Sequence, residues 1–576
     1  MDDRLSTLVP QPRTVQRKPG ELRLTTGPAV RTGIGAGAEA AAAVVRRVIS
    51  EIPWPERPGP ERARQDGSAP SITVHAVADL ALEAYRLDIG TDGVSIAASG
   101  QAGAFYAAQT LRQLLPDDAW RAAPLPNGAP ADNWRLPAAD IEDGPALPWR
   151  GAHIDVSRHF STKRELLALI GGLSALKINR LHLHLTDDQG WRIESRRFPA
   201  LHEIGSHRAR TRISLNREEP KVYEEIPYGG YYTLDDLAEI ASFAADRMMT
   251  LVPEIDLPGH SAALLAALPE LGAGEPPPAG YQVSPDWGIL PNLISPLPDA
   301  RAAVMEIMAE VVGATGARYV HIGGDECVLA SWRADPRIEA YRRERHLDTA
   351  EDLHAAFLRD IADALAADFG ARSLVWDEGF TSTVGRPTAL RDDTIVMAWR
   401  GMPIARDAAA AGHDVVVTPV FPTYFDYYQE RSVSEPLGIG GPVRIEDVAE
   451  FSPVPADWPE AARARVLGTQ FQVWTEYIRD GRALEYMIFP RACALADVAW
   501  SGAAAPWPDG VAGGASLQDR VGAHLGRLGA AGLEYRPLTG PRPWQQGGTG
   551  PRRFRPGYQV RDVTVHLNEL AAGEQS

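Results

Sequence analysis

The chain has 576 residues, 44% of them hydrophobic: enough for a globular interior, but too long for one ordinary core. A formal net charge of -17 excludes a protein that reads nucleic-acid phosphates, whereas a sugar polymer or another neutral ligand is not repelled. The two cysteines, Cys327 and Cys493, exclude a disulfide scaffold and read as free thiols. No apolar run is long enough to span a bilayer, and the first ten residues lack a basic segment leading into an apolar one. No membrane partner is expected. A cytoplasmic location is expected, with a mature secreted protein as the alternative.

Residues 1–145 read as a small α+β domain. Strands are expected at Glu21–Leu24, Ser71–Val77 and Val94–Ala98, and helices at Ala36–Glu51 and Gly103–Leu115. The stretch Pro124–Pro148, rich in Pro, Asp and Asn, reads as connection rather than core.

From Trp149 the rhythm changes. Strands are expected at Gly151–Val156, Ile178–Leu185, Met249–Ile255, Tyr319–Ile322, Ser373–Trp376, Thr394–Trp399, Asp414–Thr418 and Leu467–Trp474. Helical segments fall between most of them: Lys163–Leu176, Leu234–Ala245, Ser261–Leu268, Asp299–Val312, Asp352–Asp368 and Ile404–Ala411, with Glu485–Leu495 after the last strand. Eight strands alternating with helices over residues 146–505 predict an α/β fold, a (β/α)8 TIM barrel with insertions. An open doubly wound sheet is the alternative, disfavoured because no phosphate-type glycine loop follows the first strand. Residues 506–576 read as a C-terminal helix at Leu517–Ala530 and an extended tail packing on the barrel, with a strand at Tyr558–Leu567.

Chemistry in such a barrel belongs at the carboxyl ends of the strands. The stretch Arg318–Cys327 reads as a short strand, then Gly323 and Gly324, then two adjacent carboxylates, Asp325 and Glu326. Alternation along the second strand turns His182 and His184 into the barrel, ahead of Asp187 and Asp188. The third strand delivers Glu254, Asp256 and His260 to the same rim, where an Asp–His–Glu relay would hold the proton of a catalytic acid. Trp376, Trp399 and Trp474 close three further strands, and Tyr424 and Asp426 follow another. Three tryptophans at matching rim positions wall a pocket. The carboxylates Asp426 and Glu476 and the guanidinium of Arg150 are candidates to grip hydroxyl groups, with His184 as a further sugar contact. Aromatic faces and hydroxyl-gripping charges are what a sugar ring requires. The same histidines and carboxylates are metal-ligand types, but two histidines two residues apart on a strand match no zinc spacing, so neither metal nor cofactor is expected.

With these residues in view, the chain resembles the family 20 glycoside hydrolases, the β-N-acetylhexosaminidases. The resemblance is carried by residues 149–160, 182–192, 254–260, 321–326, 375–378 and 473–476, and runs from about residue 90 to 505. It implies exo-acting hydrolysis of terminal β-linked N-acetylglucosamine, and of N-acetylgalactosamine, from small oligosaccharides such as chitobiose or from glycan ends. It also implies substrate-assisted catalysis, in which the 2-acetamido oxygen is the nucleophile and an oxazolinium ion the intermediate. Glu326 is then the general acid and base, and Asp325 holds and orients the acetamido N–H. Tyr424 donates to the acetamido oxygen, while Trp376, Trp399 and Trp474 enclose the methyl group and ring. Arg150, Asp426 and Glu476 bind the non-reducing-end hydroxyls. The relay is His260 with Asp187 or Asp188. Cys327 stands where the family commonly has an aliphatic residue, and reads as a small buried hydrophobe. A relative with another sugar or acceptor preference, a metal-dependent hydrolase and a non-catalytic sugar-binding barrel are the competing readings.

Overall fold

Burial along Tyr85–Ile89 alternates strictly, with residues 85, 87 and 89 inward, and Gly93–Ala98 alternates in the same way. Period-two burial makes a sheet with one covered face. A computed structural model describes residues 4–547 apart from 25, 56–69, 127–131, 216–219, 383–389 and 503–514. It shows a mixed sheet whose spatial order is Thr14–Arg23, Arg135–Asp143, Tyr85–Ile89, Gly93–Ala98, Ser71–Ala76 and Ala29–Thr32. Helices Ala38–Ser50 and Gln101–Gln113 cover it with their apolar sides, Val44, Val45 and Val48 from one and Phe105, Tyr106 and Leu111 from the other.

One expectation fails here. Pro124–Pro148 is not merely connection, because Arg135–Asp143 is an inner strand between Thr14–Arg23 and Tyr85–Ile89. Its proline misled. Pro137 lies beyond the last pair with Tyr85–Ile89, which is Ile89 with Ala139, and next to a break in register between Arg17 and Glu21. The donor that proline lacks is therefore not required where it sits.

The eight expected strands all form and close on themselves. The barrel order is Trp149–Asp155, Arg180–His184, Thr250–Leu257, Tyr319–Gly323, Arg372–Trp376, Ile395–Ala398, Val415–Val417 and Val466–Val473, all neighbours parallel. Helix starts are written in the sequence: Thr162 with Glu165, Thr233 with Asp236 and Thr349 with Asp352 each make a reciprocal capping box. Glu485–Leu495, expected as one helix, is two: Gly481–Ile488 and Arg491–Ser501, interrupted at Pro490. Inside the barrel, Trp149, Val252, Leu374, Ile395, Met397 and Val416 form an apolar plug. The site lies above it.

The sheet domain joins the barrel through buried charge. Lys177, just before the second barrel strand, donates to Asp143 at 2.8 Å, and Trp500 donates to the other oxygen of Asp143 at 2.8 Å. The C-terminal helix Leu517–Ala531 packs Leu525 and Leu528 into the barrel core, and its Arg527 donates to Gln113 of the sheet domain. The expected strand at 558–567 lies outside the described residues. Among the described residues no helix is long and apolar enough to cross a membrane.

Candidate active site

The fourth barrel strand ends in two glycines with left-handed backbone, Gly323 at φ 66° and Gly324 at φ 100°. A Cβ on Gly323 would lie 1.6 Å from Asp256 Oδ1, so the position admits no side chain. Beyond it the chain throws Asp325 and Glu326 over the barrel mouth. Glu326 itself holds φ 51°, and His260 opposite holds φ 47°. Left-handed backbone at residues other than glycine costs roughly 1–3 kcal/mol each and persists where the surroundings enforce it.

His260 connects the two sides. Its Nε2 lies 3.3 Å from Glu326 Oε2 and 3.8 Å from Asp325 Oδ2. Its Nδ1 lies 3.4 Å from Asp187 Oδ1 and 3.4 Å from Asp188 Oδ2. Both aspartates therefore back the imidazole. A turn makes this possible, because Asp187 pairs across to Gly190 in a two-residue ladder instead of continuing the second strand. Burial opposes charge on His260, but Asp187, Asp188 and Glu326 outweigh it and raise its pKa well above the usual value.

Asp187 is shared further. Arg158 reaches its Oδ2 at 2.6 Å and lies with its guanidinium 4.9 Å from the Trp474 ring centre. Asp155 holds Arg158 from below and also accepts from the Thr475 amide and hydroxyl at 2.9 and 3.0 Å. This clamp joins the ends of the first, second and eighth strands.

The three tryptophans and Tyr424 form one row of neighbouring rings. Trp376 and Trp474 are 5.9 Å apart between ring centres, Trp474 and Tyr424 6.4 Å, and Tyr424 and Trp399 6.4 Å. Two of them are oriented by carboxylates: Trp376 donates to Glu254 at 2.8 Å and Trp399 to Glu378 at 2.8 Å. Among the described residues, Asp325 Oδ1 and both oxygens of Asp256 are buried acceptors without a donor. Burial, then Asp256, raises Asp325 well above the usual carboxylate range, and burial together with Glu254 pushes Asp256 up to about 7. Burial and Glu476 likewise raise Asp426. Buried acceptors without donors are costly, and a ligand carrying N–H and O–H groups relieves that cost.

Two expected contacts are corrected. Arg150 is at the wrong end of its strand: 1% exposed, it donates to Glu83 at 2.8 Å and to the Lys177 carbonyl at 2.8 Å, in the joint with the sheet domain. Arg158, past the carboxyl end of the same strand, occupies the position at the pocket. His184 has no exposed side-chain surface, and both ring nitrogens are engaged by carboxylates, at 2.7 Å to Glu254 and 2.9 Å to Asp187. It lies beneath the pocket and presents no donor to a sugar. Asp155 and Glu378 are not among the candidates that the sequence offers, and Glu254, expected at the rim, has no role assigned from sequence. Parity offered a signal for Asp155: with His153 inward, Asp155 is inward too and Arg150 is not.

Three-donor sets close enough for a metal ion occur among the described residues at His153–His182–Glu254, His184–Glu254–Asp256, Asp187–Asp188–His260 and Asp256–His260–Asp325. They are the same groups that form the relay and the histidine ring around Glu254.

A model of the glycosyl hydrolase family 20 catalytic domain matches residues 147–503, and one of the family's domain 2 matches residues 5–144. The chain belongs to glycosyl hydrolase family 20. This family 20 chain is 33% identical over 439 residues to a beta-hexosaminidase of Porphyromonas gingivalis, covering 76% of this chain and 53% of the relative. It therefore spans about half the length of that relative. To a beta-hexosaminidase of Vibrio furnissii it is 30% identical over 494 residues, 85% of this chain and 76% of that one. Among solved family 20 structures, an exo beta-N-acetylglucosaminidase from Vibrio harveyi in complex with N-acetylglucosamine is similar with a TM-score of 0.75 at 28% identity, covering 92% of this chain and 78% of that one. An N-acetyl-beta-hexosaminidase from Streptomyces plicatus gives 0.72 at 27% identity, covering 93% and 98%.

Proposed function

We propose that this family 20 chain is an exo-acting, retaining β-N-acetylhexosaminidase that removes terminal β-linked N-acetylglucosamine, and N-acetylgalactosamine, from small oligosaccharides and glycan ends. The names of its relatives and the N-acetylglucosamine bound in the Vibrio harveyi structure support the substrate class. The single observation that carries the mechanism is that Asp325 and Glu326 approach one imidazole nitrogen, His260 Nε2, at 3.8 and 3.3 Å. A two-carboxylate glycosidase needs its acid and nucleophile on opposite sides of the scissile bond, about 5 Å apart or more. Two carboxylates on one imidazole nitrogen suit an acid and a helper, with the nucleophile supplied by the substrate.

Glu326, backed by His260, protonates the leaving oxygen as the acetamido oxygen attacks the anomeric carbon. The attached nucleophile needs no encounter, which is the entropic gain of the scheme. Asp325 accepts the acetamido N–H through an oxygen that has no other donor. Its raised affinity for a proton, due to burial and then Asp256, marks a carboxylate stabilised by any positive charge brought to it, and the oxazolinium ion brings one. Tyr424 donates to the acetamido oxygen, and Trp376, Trp399 and Trp474 enclose the methyl group and ring. Water, deprotonated by Glu326, then opens the oxazolinium ion from the opposite face, so that two inversions retain the β configuration. Arg158, Asp426 and Glu476 hold the hydroxyls of the non-reducing end, which blocks further sugars there and makes cleavage terminal.

The test is kcat/KM on paired N-acetyl-β-glucosaminides with a good and a poor leaving group, for wild type, Asp325→Ala and Glu326→Ala. Damage to Asp325→Ala on both substrates, and to Glu326→Ala chiefly on the poor one, supports the scheme. Azide rescue of Asp325→Ala as an α-glycosyl azide means an enzyme nucleophile on the α face and refutes it.

A further inference from the structure

Beneath the pocket, His184 Nδ1 lies 2.7 Å from Glu254 Oε2 and His184 Nε2 lies 2.9 Å from Asp187 Oδ2. A neutral imidazole has one N–H and one lone pair, and a lone pair at that distance from a carboxylate oxygen is repelled. Only the doubly protonated ring donates to both. Neither carboxylate is placed to carry the extra proton itself, since each already accepts from other donors. Glu254 takes the Trp376 indole N–H at 2.8 Å on one oxygen and has His182 Nε2 at 3.1 Å from the other. Asp187 takes Arg158 at 2.6 Å and the Asp188 amide at 2.5 Å.

The two carboxylates lead to different parts of the site. From Glu254 the chain of contacts runs to Trp376, one wall of the acetamido pocket. From Asp187 it runs through His260 to Glu326. The strands beside His184 contribute His153 and Asp155 on one side and Asp256 on the other, so two more carboxylates surround the ring. Burial opposes the charge, but Glu254 and then Asp187 raise the His184 pKa well above the usual value, and both carboxylates are lowered.

We propose that His184 is a positioning residue, a buried imidazolium strut that ties the tryptophan wall receiving the acetamido group to the relay behind the general acid. Through Glu254 it fixes Trp376, and through Asp187 it fixes His260. The catalytic consequence rests on the hydrolase reading above; the imidazolium itself does not.

Asparagine and glutamine separate the two halves, because an Asn amide reaches the place of Nδ1 and a Gln amide that of Nε2. His184→Asn keeps the donor to Glu254 and drops the one to Asp187. It loses at least about tenfold in kcat on a poor leaving group and little on a good one, the size of one hydrogen bond to a charged group. His184→Gln keeps the donor to Asp187 and frees Glu254. It raises KM for N-acetyl substrates about tenfold, with kcat on the good leaving group changed far less. Equal damage by both variants to both substrates means a general packing role and overturns the proposal.

If neither variant folds, ¹⁵N-histidine NMR of the full-length wild type decides. The chain has 14 histidines. The His184 ring should show two slowly exchanging N–H protons and imidazolium nitrogen shifts at pH 8. A neutral tautomer there sinks the strut. This measurement needs no turnover, so an inactive wild type refutes the hydrolase reading and leaves the protonation of His184 to be judged separately.

Discussion

His260 Nε2 and Glu326 Oε2 lie 3.3 Å apart, and both residues hold left-handed backbone, at φ 47° and 51°. Two strained turns from neighbouring strands thus aim at each other. Gly259 and Gly324 leave room for this, since a Cβ on Gly259 would stand only 3.1 Å from the Asp325 carbonyl. The strain is consistent with the acid and its support being placed by the fold rather than by flexible side chains.

Removing the support should weaken the acid selectively. His260→Ala is expected to lower kcat on an alkyl N-acetyl-β-glucosaminide by about 100-fold, the lower range for general-acid assistance, and far less on a 4-nitrophenyl glycoside. A Brønsted plot against leaving-group pKa checks it: the variant's slope must be steeper than that of the wild type.

Asp325→Asn replaces an acceptor with an amide that cannot compensate positive charge. A loss of about 100-fold or more in kcat is expected on both leaving groups, the scale of one lost electrostatic contact to a transition state. A full-activity variant would remove Asp325 from the mechanism.

The two arginines of the first barrel strand region should separate cleanly. Arg158→Lys loses the guanidinium that reaches Asp187, and KM should rise about tenfold or more. Arg150→Ala removes the cation paired with Glu83 in the domain joint, leaving that carboxylate Asn179 and Tyr106 as its donors, and should cost about 3 kcal/mol of stability while KM stays near the wild-type value. Denaturant midpoints and Michaelis parameters for the two variants decide the assignment.

Asp256 provides a pH test. Burial and Glu254 raise it to about 7 in the folded chain, against about 3.9 for an unfolded aspartate. Between those values the native state binds more protons than the unfolded state, so stability falls as pH rises from about 4 to 7 and then levels from this group. In Asp256→Asn the fall in urea midpoint over that interval should be shallower than in wild type.

Gly323→Ala should fold yet lose nearly all activity. The new methyl meets Asp256 Oδ1 at 1.6 Å, so Asp256 or the Asp325–Glu326 segment must move, and sub-ångström placement matters to catalysis. Near-native circular dichroism with kcat/KM reduced at least about 100-fold is the expected pair of results.

Much of the fold was legible because the signals are local. Eight short, largely apolar runs alternating with helical stretches, three of them opened by capping boxes, predict a parallel α/β barrel. Failures came where context overrode the local cue. Arg135–Asp143 hid behind a proline that sits beyond its last pairing on one side, and the kink at Pro490 divides an otherwise continuous apolar stretch.

The residue types of the site, and the strand ends that carry them, were set by the sequence alone. Alternation along a strand and the glycines after it are properties of consecutive residues. Tertiary structure decided which of those residues meet. That Arg158 rather than Arg150 stands at the pocket depends on which end of the strand is the mouth. That Asp187 and Asp188 both back His260 depends on a two-residue ladder folding the second strand over. That His184 lies below the pocket depends on Glu254 from the next strand reaching under it. Each is a contact between residues distant in the chain, and such contacts follow from barrel closure and strand register, which no local pattern encodes.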